Sequence, residues 1–267
     1  MMSGSTISLH AETLGTGPEL VMLHGWSMHG GVLRDFAERL ATDFHVTLLD
    51  LPGHGLSPPL AEYTLERVTE ALLAEAPAAN AHWLGWSLGA LLALAVAGRQ
   101  PERVRSLTLL AGTPRFTAAD AWPGVNADLL DQMAIDLERD YEGTVRRFIG
   151  LQTFGQDNAR GLAKALQARL DERPPAVASA LRGGLQLLRV ADQRESLAGF
   201  PGPVQALLGG RDRLVPRLLG GHLQDLRPDL VLHELPRAAH LPFLTHPDET
   251  VARISAFLQA QDHVASR

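Results

Sequence analysis

Three side chains in this sequence have the types and the order that acyl transfer through a serine requires. Ser87 is the centre of Gly85-Trp86-Ser87-Leu88-Gly89, a G-x-S-x-G pentapeptide. Asp212 ends Gly209-Gly210-Arg211-Asp212, after the apolar run 204–208. His240 ends Pro236-Arg237-Ala238-Ala239-His240, after the run 230–235. A hydroxyl is a weak nucleophile until a neighbouring base takes its proton, and a carboxylate fixes the tautomer and orientation of that base. Asp225 and Asp229 are weaker candidates for the acid, since they fall in a predicted helix and the loop after it. His222, His233, His246 and His263 read as surface or capping residues. His240 differs in opening a loop after the last strand, beside Leu241-Pro242-Phe243.

The transition state of such a reaction needs two N–H donors for its oxyanion. In a strand–elbow–helix site one comes from the residue after the nucleophile and the other from the loop after an earlier strand. Here these are the backbone N–H groups of Leu88 and of Trp26, which follows the run Leu20-Val21-Met22-Leu23-His24-Gly25. The Trp26 side chain reads as a pocket wall or as a core tryptophan. A further turn signal, Asp50-Leu51-Pro52-Gly53-His54-Gly55-Leu56-Ser57, reads as structural, its glycines permitting tight turns beside the site.

The elements that must hold these residues are visible as alternating apolar strand-like and helical runs. Strands are expected at about 20–24, 45–50, 81–86, 104–110, 203–208 and 230–235. Helices are expected at about 31–41, 64–76, 88–99, 216–226 and 247–260. Near-continuous Val/Leu strands suit a parallel sheet covered on both faces. The alternation predicts the α/β class: an α/β-hydrolase fold, a doubly wound, mostly parallel sheet with an inserted helical lid. Residues 1–111 and 199–267 form the core and 112–198 the lid. Within 112–198 helical periodicity dominates: Leu130, Met133, Ala134 and Leu137 recur at i, i+3, i+4, i+7, as do Val145, Phe148, Ile149 and Gln152, and later helices span about 158–171 and 175–192. Gln152 on that stripe is either satisfied by a buried backbone group or lines a pocket. Between Gly143 and Leu170 five cations stand against one acid. Arg160 and Lys164 share a helix face. That face is either plainly solvated or a dock for an acidic partner on an acidic protein.

Composition removes several alternatives. The chain has 267 residues and a net charge of −6 without a dominating basic region, which argues against nucleic acid as a partner. It has no cysteine, hence no disulfide frame, no thiolate nucleophile and no Cys-ligated metal, which fits a reducing cytoplasm. Residues 1–12 lack the basic and apolar regions of a signal peptide. The longest apolar run, 88–97, is about half a membrane span. Neither metal nor organic cofactor is required by the chemistry, and the chain is expected to act as a monomer.

The whole chain resembles the pimeloyl-[acyl-carrier protein] methyl ester esterases, α/β-hydrolases of biotin synthesis. The resemblance rests on Leu23-His24-Gly25-Trp26, Asp50-Leu51-Pro52-Gly53, Trp83-Leu84-Gly85-Trp86-Ser87-Leu88-Gly89 and Pro101-Glu102-Arg103-Val104. It continues through Trp122-Pro123-Gly124, Arg147-Phe148 with Leu151-Gln152-Thr153, and Ala238-Ala239-His240 with Pro242-Phe243 and His246-Pro247. It implies hydrolysis of the methyl ester that masks the far carboxylate of a pimeloyl chain on acyl carrier protein. It implies substrate contacts at Trp26, Ser87, Leu88, Phe148, Ile149, Gly150, Leu151, Gln152 and His240, and carrier-protein docking by Arg147, Arg160 and Lys164. The chain departs from the family at Gly143, where relatives can carry another arginine, and at Ala90, where a glycine is common. A long acyl chain would need an apolar channel, for which Trp26, Trp86, Phe148 and Phe243 are candidates. The same triad would also serve a general short-chain carboxylesterase or lactonase, a cofactor-free haloperoxidase-like enzyme or a C–C bond hydrolase. A receptor that kept the fold is the non-enzymatic reading.

Overall fold

The computed structural model describes residues 7–78 and 80–265; residues 1–6, half of the stretch read as free of a signal peptide, lie outside the described residues. Among the described residues seven strands form one sheet: β1 (Ala11–Leu14), β2 (Glu19–Leu23), β3 (His45–Leu49), β4 (Ala81–Trp86), β5 (Val104–Leu110), β6 (Val204–Gly209) and β7 (Val231–Leu235). Their order is β1-β3-β2-β4-β5-β6-β7. All neighbours are parallel except β1, which pairs antiparallel with β3, Ala11 opposite Leu49. The central strand β4 is buried along its whole length. This is why it reads as an unbroken apolar run rather than an alternating one.

Helices α1 (Arg34–Leu40), α2 (Leu65–Glu75), α3 (Leu88–Arg99) and α9 (Leu219–Leu226) connect strands, and α10 (Pro242–Thr245) and α11 (Pro247–Ala265) follow β7. Between β5 and β6 lie α4 (Ala127–Arg139), α5 (Tyr141–Thr153), α6 (Ala159–Leu170), α7 (Ala178–Val190) and α8 (Arg194–Gly199). Ten of the twelve residues of α3 are buried, as suits a helix that is apolar all round. Three of the five helices of the insertion, α4, α5 and α6, start where a side chain caps them. Asn126 accepts from Asp128 N–H, Asp140 from Gly143 N–H and Asn158 from Gly161 N–H.

The structure differs from the sequence reading in its margins. Strand β1 was not expected: four residues, Ala-Glu-Thr-Leu, carry too little apolar signal to mark an edge strand. The helix expected at 31–41 opens with a 3₁₀ turn, Gly30–Leu33, and that at 216–226 begins only at Leu219. Helix α8, inside the segment 112–198, lies against the core helix α3, where Ser196 abuts Gly98. Among the described residues no helix is long and apolar enough to cross a membrane.

Candidate active site

The carboxyl ends of the parallel strands share one edge of the sheet, the place where open α/β sheets bind ligands. Ser87 stands there between β4 and α3. Its backbone is at φ 56, ψ −116, a region that favours glycine, and holding a serine there costs about 1–3 kcal/mol. The surrounding chain makes no other path possible. A Cβ on Gly85 would collide with the backbone of Gly89 and Ala90, and one on Gly89 with the carbonyl oxygen of Leu23. The turn is tied down by Ser87 N–H donating to Leu110 O at 3.1 Å and Ala90 N–H donating to Ser87 O at 3.0 Å.

Asp212 and His240 reach the serine from the ends of β6 and β7. Asp212 Oδ1 accepts the N–H groups of Leu214 and Val215 at 2.8 and 3.0 Å, so the carboxylate is aimed by its own loop. Its Oδ2 lies 2.7 Å from His240 Nδ1, and His240 Nε2 lies 2.8 Å from Ser87 Oγ. With the proton on Nδ1 held by the carboxylate, Nε2 is free to accept the serine proton. His240 is itself held from behind: Trp86 Nε1–H donates to its carbonyl oxygen at 2.9 Å, and the Trp86 ring packs edge-on against Phe243. These two aromatics, candidates for a substrate channel, also hold the histidine loop.

Leu88 opens α3, where the first N–H groups of a helix have no intrahelical partner. Trp26 sits on the loop after β2. The structure describes no hydrogen bond, among the described residues, that uses either backbone N–H. The Trp26 indole is fully buried between core and insertion. Its N–H donates to Leu181 O of α7 at 2.8 Å, and Phe148 of α5 meets its face at 4.8 Å between centroids. Phe148, Ile149 and Gln152 face inward and are buried. Leu151 is half-buried and Gly150 is exposed, because successive residues of a helix turn by about 100°. The Gln152 Oε1 has no hydrogen-bond partner among the described residues, so of the two sequence readings the backbone-satisfied one is not observed.

The basic face of the insertion is less free than its composition suggests. Arg147 is paired with Asp136 at 3.1 Å, Arg146 with Glu142 at 3.2 Å and Arg169 with Asp35 at 2.5 Å. Arg160 and Lys164 are exposed, with no ion pair described for either. Sequence reasoning missed two features here. One is Arg173, which clamps the insertion to the core through Asp50 at 2.9 Å and Glu12 at 2.8 Å. The other is Ser27, on the floor of a cavity of about 560 Å³. No local pattern marks either residue, since Arg173 finds its partners, and Ser27 its pocket neighbours, in distant segments.

Beneath the site lies a buried histidine pair. Leu51 N–H donates to His24 Nε2 at 2.9 Å, so His24 carries its proton on Nδ1 and donates it to Gly25 O at 2.8 Å. His54 Nδ1 donates to Pro52 O, and the two rings are 5.3 Å apart. Burial, reinforced by the proximity of His54, pushes His24 down to about 3; burial pushes His54 down to about 4. Both are neutral in the folded state and take up protons in the unfolded chain below its ordinary value of 6.5. A lowered folded-state value means that their stabilising contribution is complete above pH 6.5 and falls as pH drops from there toward 4. The expected loss is at most about 1.4 kcal/mol per pH unit for each histidine. Burial pushes the Asp50 carboxyl up, but the N–H groups of Leu56 and Gly30 and the Arg173 guanidinium outweigh it, and Asp50 stays ionised through this window. Urea unfolding at pH 6.5 and 5 should show the decline, and His54→Gln should reduce its slope by about one proton. An unchanged slope in that variant would refute the assignment of His54 as neutral.

The comparisons agree with this architecture. The profile of the Alpha/beta hydrolase family matches residues 20–254. Among solved structures, an esterase from Exiguobacterium antarcticum superposes with a TM-score of 0.85 at 21% identity, over 94% of this chain and 95% of that one. An enol-lactonase from Burkholderia xenovorans superposes with a TM-score of 0.81 at 20% identity, over 94% and 96%. At these identities the likeness concerns the fold alone. Sequence relatives say more. A protein of Methylococcus capsulatus named pimeloyl-[acyl-carrier protein] methyl ester esterase is 50% identical over 252 residues, 94% of this chain and 99% of that protein. One of the same name from Chromobacterium violaceum is 41% identical, over 96% of this chain and 100% of its own. The chain belongs to the α/β hydrolase family and, within it, to the family of the pimeloyl-[acyl-carrier protein] methyl ester esterases.

Proposed function

We propose that this chain is a serine carboxylesterase that hydrolyses the methyl ester of a pimeloyl group carried on acyl carrier protein, releasing methanol and the free terminal carboxylate for biotin synthesis. The observation that carries the reading is the continuous hydrogen-bonded path from Asp212 through His240 to Ser87, in a chain half identical to a protein of that name. Ser87 Oγ attacks the ester carbonyl carbon while His240 Nε2 takes its proton. The negative charge that develops on the carbonyl oxygen is received by the N–H groups of Trp26 and Leu88. Collapse of the tetrahedral intermediate breaks the bond to the methoxy oxygen, which leaves as methanol with the proton from His240. A water, activated in turn by His240, then releases the acid and restores the serine. Helices α4 to α7 act as the lid, and the stripe Phe148, Ile149 and Gln152 closes over the acyl chain with Trp26. No metal or organic cofactor enters any step.

Carrier docking would use Arg160 and Lys164, exposed lid cations with no ion pair among the described residues, with Arg147 contributing after exchange of its acidic partners. Attraction of this kind acts mainly on encounter and is screened by salt. The test compares the carrier-bound ester with a short free methyl ester. The wild type should prefer the carrier-bound ester, and the pair Arg160→Glu and Lys164→Glu should raise its KM several-fold while leaving the free ester untouched. Added salt should narrow the gap. Equal activity of the wild type on both esters would make the protein a general carboxylesterase and overturn the carrier-specific reading.

A further inference from the structure

Ser27, the residue after Trp26, is placed at a double disadvantage that the fold does not explain. Its φ is 63, in the left-handed region that favours glycine, and its side chain is 3% exposed. Its hydroxyl has no hydrogen-bond partner among the described residues. A buried donor left unpaired loses its hydration without return. Glycine would avoid both penalties, so the hydroxyl needs a use.

The surroundings indicate one. Ser27 lines an open pocket of about 560 Å³ bounded by the N-terminal half of α5, the C-terminal half of α6 and the segment leading into α7. This volume is in the range of small-molecule sites. The other polar groups there are already engaged. Tyr141 donates to Ala176 O at 2.7 Å, Gln167 donates to Asp171 at 2.8 Å, Arg146 pairs with Glu142, and Arg173 is held by Asp50 and Glu12. The cations and acids that line it balance, so the cavity does not select an anion or a cation. Val145 and Leu170 provide apolar wall. The fitting guest is an uncharged, partly apolar chain that offers a carbonyl oxygen to the Ser27 O–H. Val145 lies on the same buried stripe of α5 as Phe148, and Phe148 touches Trp26. One helix therefore walls both the cavity and the approach to Ser87.

We propose that Ser27 is a substrate-positioning residue, donating a hydrogen bond to an amide carbonyl of the neutral arm that bears the acyl chain as that arm lies in this cavity. The inference rests on the carrier-bound ester reading above, and concerns the arm rather than the ester chemistry.

The test uses Ser27→Gly and Ser27→Ala in the full chain, with pimeloyl methyl ester linked to pantetheine as one substrate and methyl butyrate as the other. Ser27→Gly should fold with an unchanged or higher unfolding midpoint. Its KM for the pantetheine-linked ester should rise about five- to tenfold at constant kcat, the scale of one hydrogen bond to a neutral group. Methyl butyrate should be hydrolysed as by the wild type. A pantetheine conjugate of pimelate whose terminal methyl ester is replaced by an N-methylamide, which withstands hydrolysis, should bind the glycine variant more weakly by the same factor when titrated calorimetrically. Unchanged amide binding, or an equal loss on both esters, would overturn the proposal, the latter by placing the effect on the oxyanion loop. If the wild type binds the amide but does not hydrolyse the linked ester, the esterase reading fails while the role of Ser27 in holding the arm stands.

Discussion

Replacement of Ser87 by alanine should lower kcat for ester hydrolysis by about 10⁴- to 10⁶-fold, leaving what binding and the oxyanion donors alone supply. The side chain is small and is not used as a helix cap, so nothing in the turn depends on the hydroxyl. The backbone strain at φ 56 persists with alanine, and the unfolding midpoint should stay close to that of the wild type. Two measurements check this: steady-state hydrolysis of a methyl ester, and labelling by a fluorophosphonate probe, which reacts only with an activated serine. The variant should lose both. Retained turnover in purified, folded Ser87→Ala protein would remove the serine from the mechanism.

The second large effect is expected at Asp212. Asp212→Asn keeps the shape of the side chain and its acceptor oxygen for Leu214 and Val215, but it presents an amide to His240. The amide N–H donates to His240 Nδ1, so the imidazole proton sits on Nε2 facing Ser87, and Nε2 can no longer accept. In serine hydrolases with this arrangement the change lowers kcat by about 10⁴-fold. The signature is a loss in kcat with little change in KM, since the ester itself does not touch the carboxylate. The competing acids proposed from sequence lie elsewhere. Asp229 pairs with Arg227 at 3.1 Å, and Asp225 lies on α9. Full activity of Asp212→Asn with a loss in a variant of either of those would reassign the acid.

The amino-acid sequence by itself determined the doubly wound order of strands and helices, because parallel strands buried on both faces and the helices that cover them leave apolar runs of distinct period. It also displayed the elbow at Ser87: glycine at 85 is required by the approach of the Gly89 and Ala90 backbone, a local constraint that a pentapeptide can show, while glycine at 89 answers to Leu23 on β2. The order of Ser87, Asp212 and His240 is likewise written in the chain, since each follows a recognisable strand. What only the tertiary structure decided are the relations between segments far apart. Strand β1 is defined by its pairing with β3 rather than by its own four residues. The packing of Trp86 and Phe243 behind His240 is another such relation, because an aromatic residue carries no mark of which neighbour it will meet. Arg147 lost its freedom to Asp136, eleven residues away on the preceding helix. The cavity above Ser27 needs α5, α6 and the loop after β2 to converge, and no single stretch of sequence holds all three. Local constraints on backbone and period are legible in one dimension, whereas side-chain partnership and enclosed space exist only once the chain has closed on itself.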